Sequence, residues 1–167
     1  MEDAPSSQLF TKLLKPDALT FYVRSGSELP KYPNHFFVTL NAEQKKIMSS
    51  CASMCTTNMA TPQAAIIQGP PGTGKTTTIA ALIMQIIFRW RESYPGSALP
   101  RILLTAPSNA AVDEIVRKLL QCREKLNEKD RFNMMRVGSR QNVIHPEVRQ
   151  ISLEELKDLN LKNIYKI

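Results

Sequence analysis

The stretch Gly69-Pro70-Pro71-Gly72-Thr73-Gly74-Lys75-Thr76 constrains this chain more than any other feature. It fits G-x-x-x-x-G-K-[ST] at every fixed position. A short apolar run, Ala64-Ala65-Ile66-Ile67, precedes it, and a long apolar stretch from about Lys75 follows. Glycines at those spacings let backbone N–H groups converge on one anion, and a helix opening directly after them adds its partial positive charge. In such a loop Lys75 reaches the β and γ phosphates of a nucleoside triphosphate, and the Thr76 hydroxyl ligates Mg²⁺. The bland alternative, a Gly/Pro-rich turn that only caps a helix, is disfavoured by the strand pattern before it and the helix pattern after it.

The remaining pattern is arranged around that loop. Residues 1–40 read as irregular, with Pro5, Pro16, Pro30 and Pro33 breaking any long helix, although Leu19-Thr20-Phe21-Tyr22-Val23 has strand propensity. A helix is expected over Ala42–Met54, with Asn41 as N-cap and Ile47, Met48, Cys51 and Met54 at helical spacing. A second helix, about Lys75 to Arg91, is apolar on nearly every side (Ile79, Leu82, Ile83, Ile86, Ile87, Phe88), as befits a helix laid against a sheet. After Tyr94-Pro95-Gly96 comes a second strand-like run, Ile102-Leu103-Leu104, then an amphipathic helix presenting Val112, Ile115, Val116, Leu119 and Leu120. A third run, Met134-Met135-Arg136-Val137, stops at Gly138. Strand–helix–strand–helix–strand predicts an α/β fold with a parallel sheet and crossover helices, incomplete at about three strands.

Composition narrows the class further. The 167 residues suit one modest domain, with 43% hydrophobic and 22% charged residues in ordinary globular balance. Lys plus Arg is 22 and Asp plus Glu is 15, so 22 − 15 gives +7, an excess that suits a polyanionic partner such as nucleic acid. The longest apolar stretch, Ile79 to Phe88, is too short to span a bilayer and contains Gln85, so no membrane partner is expected. The acidic start Met1-Glu2-Asp3-Ala4-Pro5 does not read as a signal peptide. Cys51, Cys55 and Cys122, with His35 and His145 distant in sequence, form no zinc-like spacing, and an odd count argues against a disulfide framework. Reduced thiols in a nuclear protein, with the cytoplasm as alternative, is the expectation.

Two segments flank the loop. Gln44, near the start of the first helix, reads as a solvated surface residue or as a carboxamide that pairs with N6 and N7 of adenine. Thr105-Ala106-Pro107-Ser108-Asn109-Ala110-Ala111-Val112-Asp113-Glu114 closes the second strand and opens the next helix. Ser108 or Asn109 is the N-cap there, with Asp113 and Glu114 complementing the dipole. The functional reading is that these hydroxyl, amide and backbone N–H groups hold a nucleic-acid phosphate. A guanine-reading Asn-Lys-x-Asp is missing; Asn127-Glu128-Lys129-Asp130 is scrambled. Small nucleotide kinases carry the loop near their start and need a lid arginine cluster, and neither is found here. The scattered Trp90, Tyr94 and Tyr165 and the mixed-charge run from Arg117 to Arg140 read as packing and solvated surface.

Together, LNAEQ, GPPGTGKTTT and TAPSNAAVDEIVRKL resemble the Q motif, motif I and motif Ia of superfamily 1 helicases of the senataxin and up-frameshift type. MRVGSRQNVIHPEVRQISLEEL is most similar to the senataxin branch. The resemblance spans roughly residues 40–156 and implies a RecA-like P-loop NTPase domain, ATP and Mg²⁺ as cofactors, and single-stranded RNA or DNA as partner. It implies that Gln44 reads adenine and that Gly69, Gly72, Thr73, Gly74, Lys75, Thr76 and Thr77 cradle the nucleotide. Lys75 and Thr76 take the catalytic positions, Thr76 also holding Mg²⁺, while Pro107, Ser108 and Asn109 touch the nucleic-acid backbone. RNA-processing or transcription-termination partners are implied with it. Residues 1–39 would be the end of an accessory barrel or stalk and 40–167 a partial RecA-like domain.

The chain also departs from that pattern. No apolar strand ending in Asp-Glu follows Gly138, and Glu154-Glu155 after Ile151-Ser152-Leu153 has a helical context. The second motor domain with its arginine finger is not in this sequence. Two readings result: the ATP-binding portion of a helicase, with little hydrolysis from these residues alone, or a catalytically inactive P-loop module that acts through binding.

Overall fold

A computed structural model describes residues 40–57, 65–138 and 145–157. The expectations for residues 1–39, including Leu19–Val23 and the barrel or stalk, lie outside the described residues, as do those for Arg140 and Tyr165. The chain divides into two compact units, Met1–Ala98 and Leu99–Ile167.

In the first unit, helix α1 runs Ala42–Thr57 and helix α2 Lys75–Ser93. Asn41 and Gln44 start α1 reciprocally: Gln44 N–H donates to Asn41 Oδ1 and Asn41 N–H to Gln44 Oε1, each at 2.9 Å. That capping box satisfies two N–H groups that a helix start otherwise leaves open. At the far end of α2 the Tyr94 N–H returns to Trp90 O at 2.8 Å. The two helices pack together, burying Met48 and Ala52 on α1 and Ala80, Ala81, Ile83, Met84, Ile87 and Phe88 on α2. Each large apolar side chain so buried contributes about 1.5–3 kcal/mol. Arg89 joins them further, donating to Ser53 Oγ at 2.7 Å and Ser49 Oγ at 3.3 Å. Trp90 and Tyr94 pack ring against ring, 4.6 Å between centroids, with Trp90 Nε1 donating to Ala98 O.

The second unit is built on helix α3, Asn109–Glu124. Its expected face is the buried one: Ile115, Val116, Leu119 and Leu120 are inside. Val116 and Leu120 meet Val148, with Val112, Met134 and Ile151 packed around them. Val148 belongs to the short helix α4, Pro146–Arg149. Arg123 Nε donates to Phe132 O at 2.7 Å, fixing where the chain returns beside α3. From there Phe132 and Arg136 are buried and Met134 half-buried, while Arg131, Asn133, Met135 and Val137 are exposed. That period of two is strand behaviour.

The sheet is where sequence and structure differ. Among the described residues the only β pairing is an isolated parallel bridge, Arg136 with Ser152. It is made by Arg136 N–H to Ile151 O and Leu153 N–H to Arg136 O, both 2.9 Å. Residues 65–67 and 102–104 show no strand, and Ile66 and Leu103 stand 65% and 92% exposed. A strand exists only through hydrogen bonds to neighbours, so strand propensity without a paired neighbour yields an extended segment with its apolar side chains in water.

Candidate functional site

The phosphate loop takes its shape from two glycines. Gly72 and Gly74 both have φ +79°, a left-handed conformation that other residues resist. Gly74 is the N-cap of α2, and a Cβ on it would stand 2.9 Å from Gln44 Nε2. A Cβ on Gly69 would stand equally close to Thr73 Oγ1, so a larger residue there would displace that hydroxyl. Thr73 Oγ1 donates to Pro70 O at 2.8 Å, and Lys75 Nζ donates to Gly69 O and Pro70 O, both at 2.6 Å. The ammonium is therefore drawn over the loop by its own carbonyls. Thr78 N–H and Oγ1 both donate to Gly74 O, locking the first turn of α2 onto the loop. Thr76 and Thr77 are half-buried on that same turn.

Gln44 is the upstream residue that reaches this loop. Its Nε2 donates to Thr73 O at 2.9 Å while its Oε1 holds the Asn41 N–H. Sequence reasoning gave Gln44 two options, surface or base reader; the structure adds a third, a strut between the start of α1 and the phosphate loop. Its i+3 spacing from Asn41 carried the capping signal.

These residues fit a triphosphate. Nothing lies within 4 Å of where a Gly72 Cβ would stand, so that backbone faces open space. The lysine is already at the loop, its Nζ on the carbonyls of Gly69 and Pro70. Among the described residues no group of three or more His, Cys, Asp or Glu gathers to hold a metal.

In the second unit Pro107, Ser108 and Asn109 are all exposed at the start of α3. Ser108 is the cap: its Oγ accepts the Ala111 N–H at 3.2 Å, with Asn109 as first helical residue. The expectation that Asp113 complements the helix dipole is corrected, because α3 has no acid in its first turn. Asp113 is buried and its Oδ1 accepts from Arg136 Nε at 2.9 Å. Glu114 instead pairs with Arg117 at 3.1 Å and Lys118 at 3.8 Å. Sequence reasoning missed the Asp113–Arg136 pair. Two signals carried it: Asp113 lies three residues before Val116 on the buried face, and Arg136 interrupts an apolar run at an inward position. Residues 153–157 are helical, so Glu154 and Glu155 lie on a helix, with Glu155 N–H donating to Ser152 Oγ.

Over residues 39–165 the chain matches the family described as AAA domain, and it belongs to that family. Membership carries the P-loop NTPase fold. The chain is similar to "Probable helicase senataxin" of Mus musculus, 27% identical over 176 residues, covering 93% of this chain and 6% of that protein. It is 32% identical over 130 residues to "Helicase SEN1" of Saccharomyces cerevisiae, covering 68% of this chain and 6% of that one. With "DNA-binding protein SMUBP-2" of Rattus norvegicus it shares 36% identity over 102 residues, 60% of this chain and 8% of the relative. The senataxin-type superfamily 1 resemblance read from the motifs thus rests on similarity along most of the chain, which spans under a tenth of these relatives' length. No solved structure matches it.

Proposed function

We propose that this chain is the ATP-binding portion of a nucleic-acid helicase motor. The observation that carries the reading is the loop itself: two left-handed glycines, a lysine drawn over them, and a helix opening directly behind. Gly69, Gly72, Thr73, Gly74, Lys75, Thr76 and Thr77 hold the triphosphate, Thr76 contributes to Mg²⁺, and Gln44 addresses the adenine. Bound ATP–Mg²⁺ supplies the phosphoanhydride whose cleavage drives such motors. Pro107, Ser108 and Asn109 position the backbone of single-stranded RNA or DNA; that one relative is named a DNA-binding protein and another a helicase supports a nucleic-acid partner. A parallel sheet with crossover helices belongs to this reading too; within the second unit the parallel Arg136–Ser152 bridge accords with it. A domain boundary near residue 40, RNA-processing or transcription-termination partners and a nuclear location are further parts of the same proposal.

A second reading has its own support. Glu154 and Glu155 lie on a helix rather than at a strand end, so no described carboxylate pair is set to orient an attacking water. A module that binds ATP without hydrolysing it fits that observation. One titration series tests both. Fluorescent ATP should bind, and Lys75→Ala should weaken it about tenfold or more by removing a charge-assisted contact. ATP should also outcompete GTP if Gln44 reads the base. Equal affinity of wild type and Lys75→Ala would sink the nucleotide assignment. Phosphate release by the same protein, with and without single-stranded nucleic acid, separates the motor portion from the inactive module.

A further inference from the structure

The Arg-Val-Gly segment, in the second unit, holds a deeply buried ion pair. The side chains of Arg136 and Asp113 are 1% and 2% exposed, and Nε donates to Oδ1 at 2.9 Å. Among the described residues Asp113 Oδ2 has no hydrogen-bond partner, so there this carboxylate depends on Arg136. Gly138 makes room for the arginine: at φ +142°, a Cβ there would stand 2.9 Å from Arg136 Nη1. The arginine backbone is in turn clamped on both sides, its N–H to Ile151 O and its O from Leu153 N–H.

A buried pair of this kind is weak evidence for stability, because desolvation consumes most of the Coulombic gain. Its best attested use is to fix register. One hydrogen bond, Arg123 Nε to Phe132 O, holds the far end of α3; toward its start the contacts besides the ion pair are apolar (Val112, Val116 and Leu120 against Met134, Val148 and Ile151), and apolar contacts are non-directional. They leave the helix some freedom to turn or slide. A single short bond between two buried charges does not. Asp113 lies on α3 only five residues after Ser108, so whatever pins Asp113 also sets where the helix start stands.

We propose that the Asp113–Arg136 pair is the positioning device of the nucleic-acid contact: it fixes the rotation and register of α3, and thereby where Pro107, Ser108 and Asn109 meet a single-strand backbone. The proposal rests on the reading of those three residues as backbone contacts. It makes Arg136 and Asp113 positioning residues, since neither touches the nucleic acid.

The test is a cycle on the 167-residue chain, with single-stranded oligonucleotide affinity as the readout. One leg is Asp113→Leu with Arg136→Met, which removes both charges together and leaves neither unpaired. The other is Ser108→Ala with Asn109→Ala. Circular dichroism checks folding, and fluorescent-ATP affinity, which should stay unchanged, serves as the control that a globally damaged protein would fail. The apolar pair should weaken oligonucleotide binding about tenfold, the size of one lost well-placed hydrogen bond. Combining the two legs should weaken it no further, because both remove the same contact. A folded apolar pair that binds like wild type overturns the proposal, and so do losses that simply add. If the Ser108/Asn109 leg alone changes nothing, the reading of motif Ia fails first and the proposal falls with it. Should the apolar pair unfold, Arg136→Lys, which keeps the charge but not the Nε donor, is judged by the same outcomes.

Discussion

At the scale of single residues, Gln85 is the side chain that fits its surroundings worst. It sits on α2 with no exposed surface, and among the described residues neither its Nε2 nor its Oε1 has a hydrogen-bond partner. A buried amide stripped of water and left unpaired costs roughly 1–3 kcal/mol. Methionine has nearly the same length and no polar group to desolvate. Gln85→Met should therefore raise stability by about 1–2 kcal/mol, and an unchanged or lowered midpoint in urea would show that the amide is satisfied in solution. Gln44 is the opposite case, a polar residue with both ends of its carboxamide engaged. On the proposed reading of Gln44 as the adenine reader, its second N–H and second lone pair are what remain for the base, so the same side chain would tie adenine to the loop.

At the scale of elements, the helices follow from periodicity and capping chemistry. Asn41 with Gln44, and Ser108 before Asn109, are cap signals that act over three residues, and each set a boundary where the sequence placed it. The ends ran longer than periodicity alone suggests, to Thr57 and Ser93, because fraying turns carry little sequence information. The strands were less legible for a physical reason: Ile102-Leu103-Leu104 has strand chemistry, but pairing depends on a neighbour distant in sequence. The Asp113–Arg136 pair escaped notice likewise, since its members are far apart in sequence and each has a familiar local role. The helices also set the thiol chemistry. Burial pushes the Cys51 thiol on α1 upward, with Cys55 adding to it; burial also raises Cys122 on α3, outweighing Lys125 and Lys118. A raised folded-state value means the native protein holds the thiol proton more tightly than the unfolded chain does. The resulting stabilisation is fully present below about pH 8.5 and is lost as pH climbs through the raised values. Denaturation midpoints should thus fall from pH 8.5 to 10.5, and less so in Cys51→Ala with Cys122→Ala; identical slopes would mean the thiols titrate normally.

At the scale of the whole molecule, the +7 charge is the property that no single element explains. Much of the basic inventory has local work: Lys75 on loop carbonyls, Arg117 and Lys118 with Glu114, Arg123 on Phe132 O, Arg136 with Asp113. Arg101, Lys125, Lys129, Arg131, Arg149 and Lys157 are exposed in the second unit, which also holds Pro107, Ser108 and Asn109; in the first unit Lys46 is exposed. Cations on a surface attract phosphates without reading bases, and each phosphate neutralised releases a condensed counterion. If about four are neutralised, the log–log salt slope on single strands should be about −3, so that going from about 50 to 200 mM salt cuts affinity roughly 60-fold. Ser108 and Asn109 carry no charge, so Ser108→Ala with Asn109→Ala should lower affinity at every salt concentration and leave the slope alone. Arg131→Gln with Lys129→Gln should do the reverse, flattening the slope by about one unit or more while homopolymers of different base still bind alike. Titrations of fluorescent oligonucleotides at four salt concentrations read both quantities at once. A slope near zero would detach the basic surface from nucleic acid altogether.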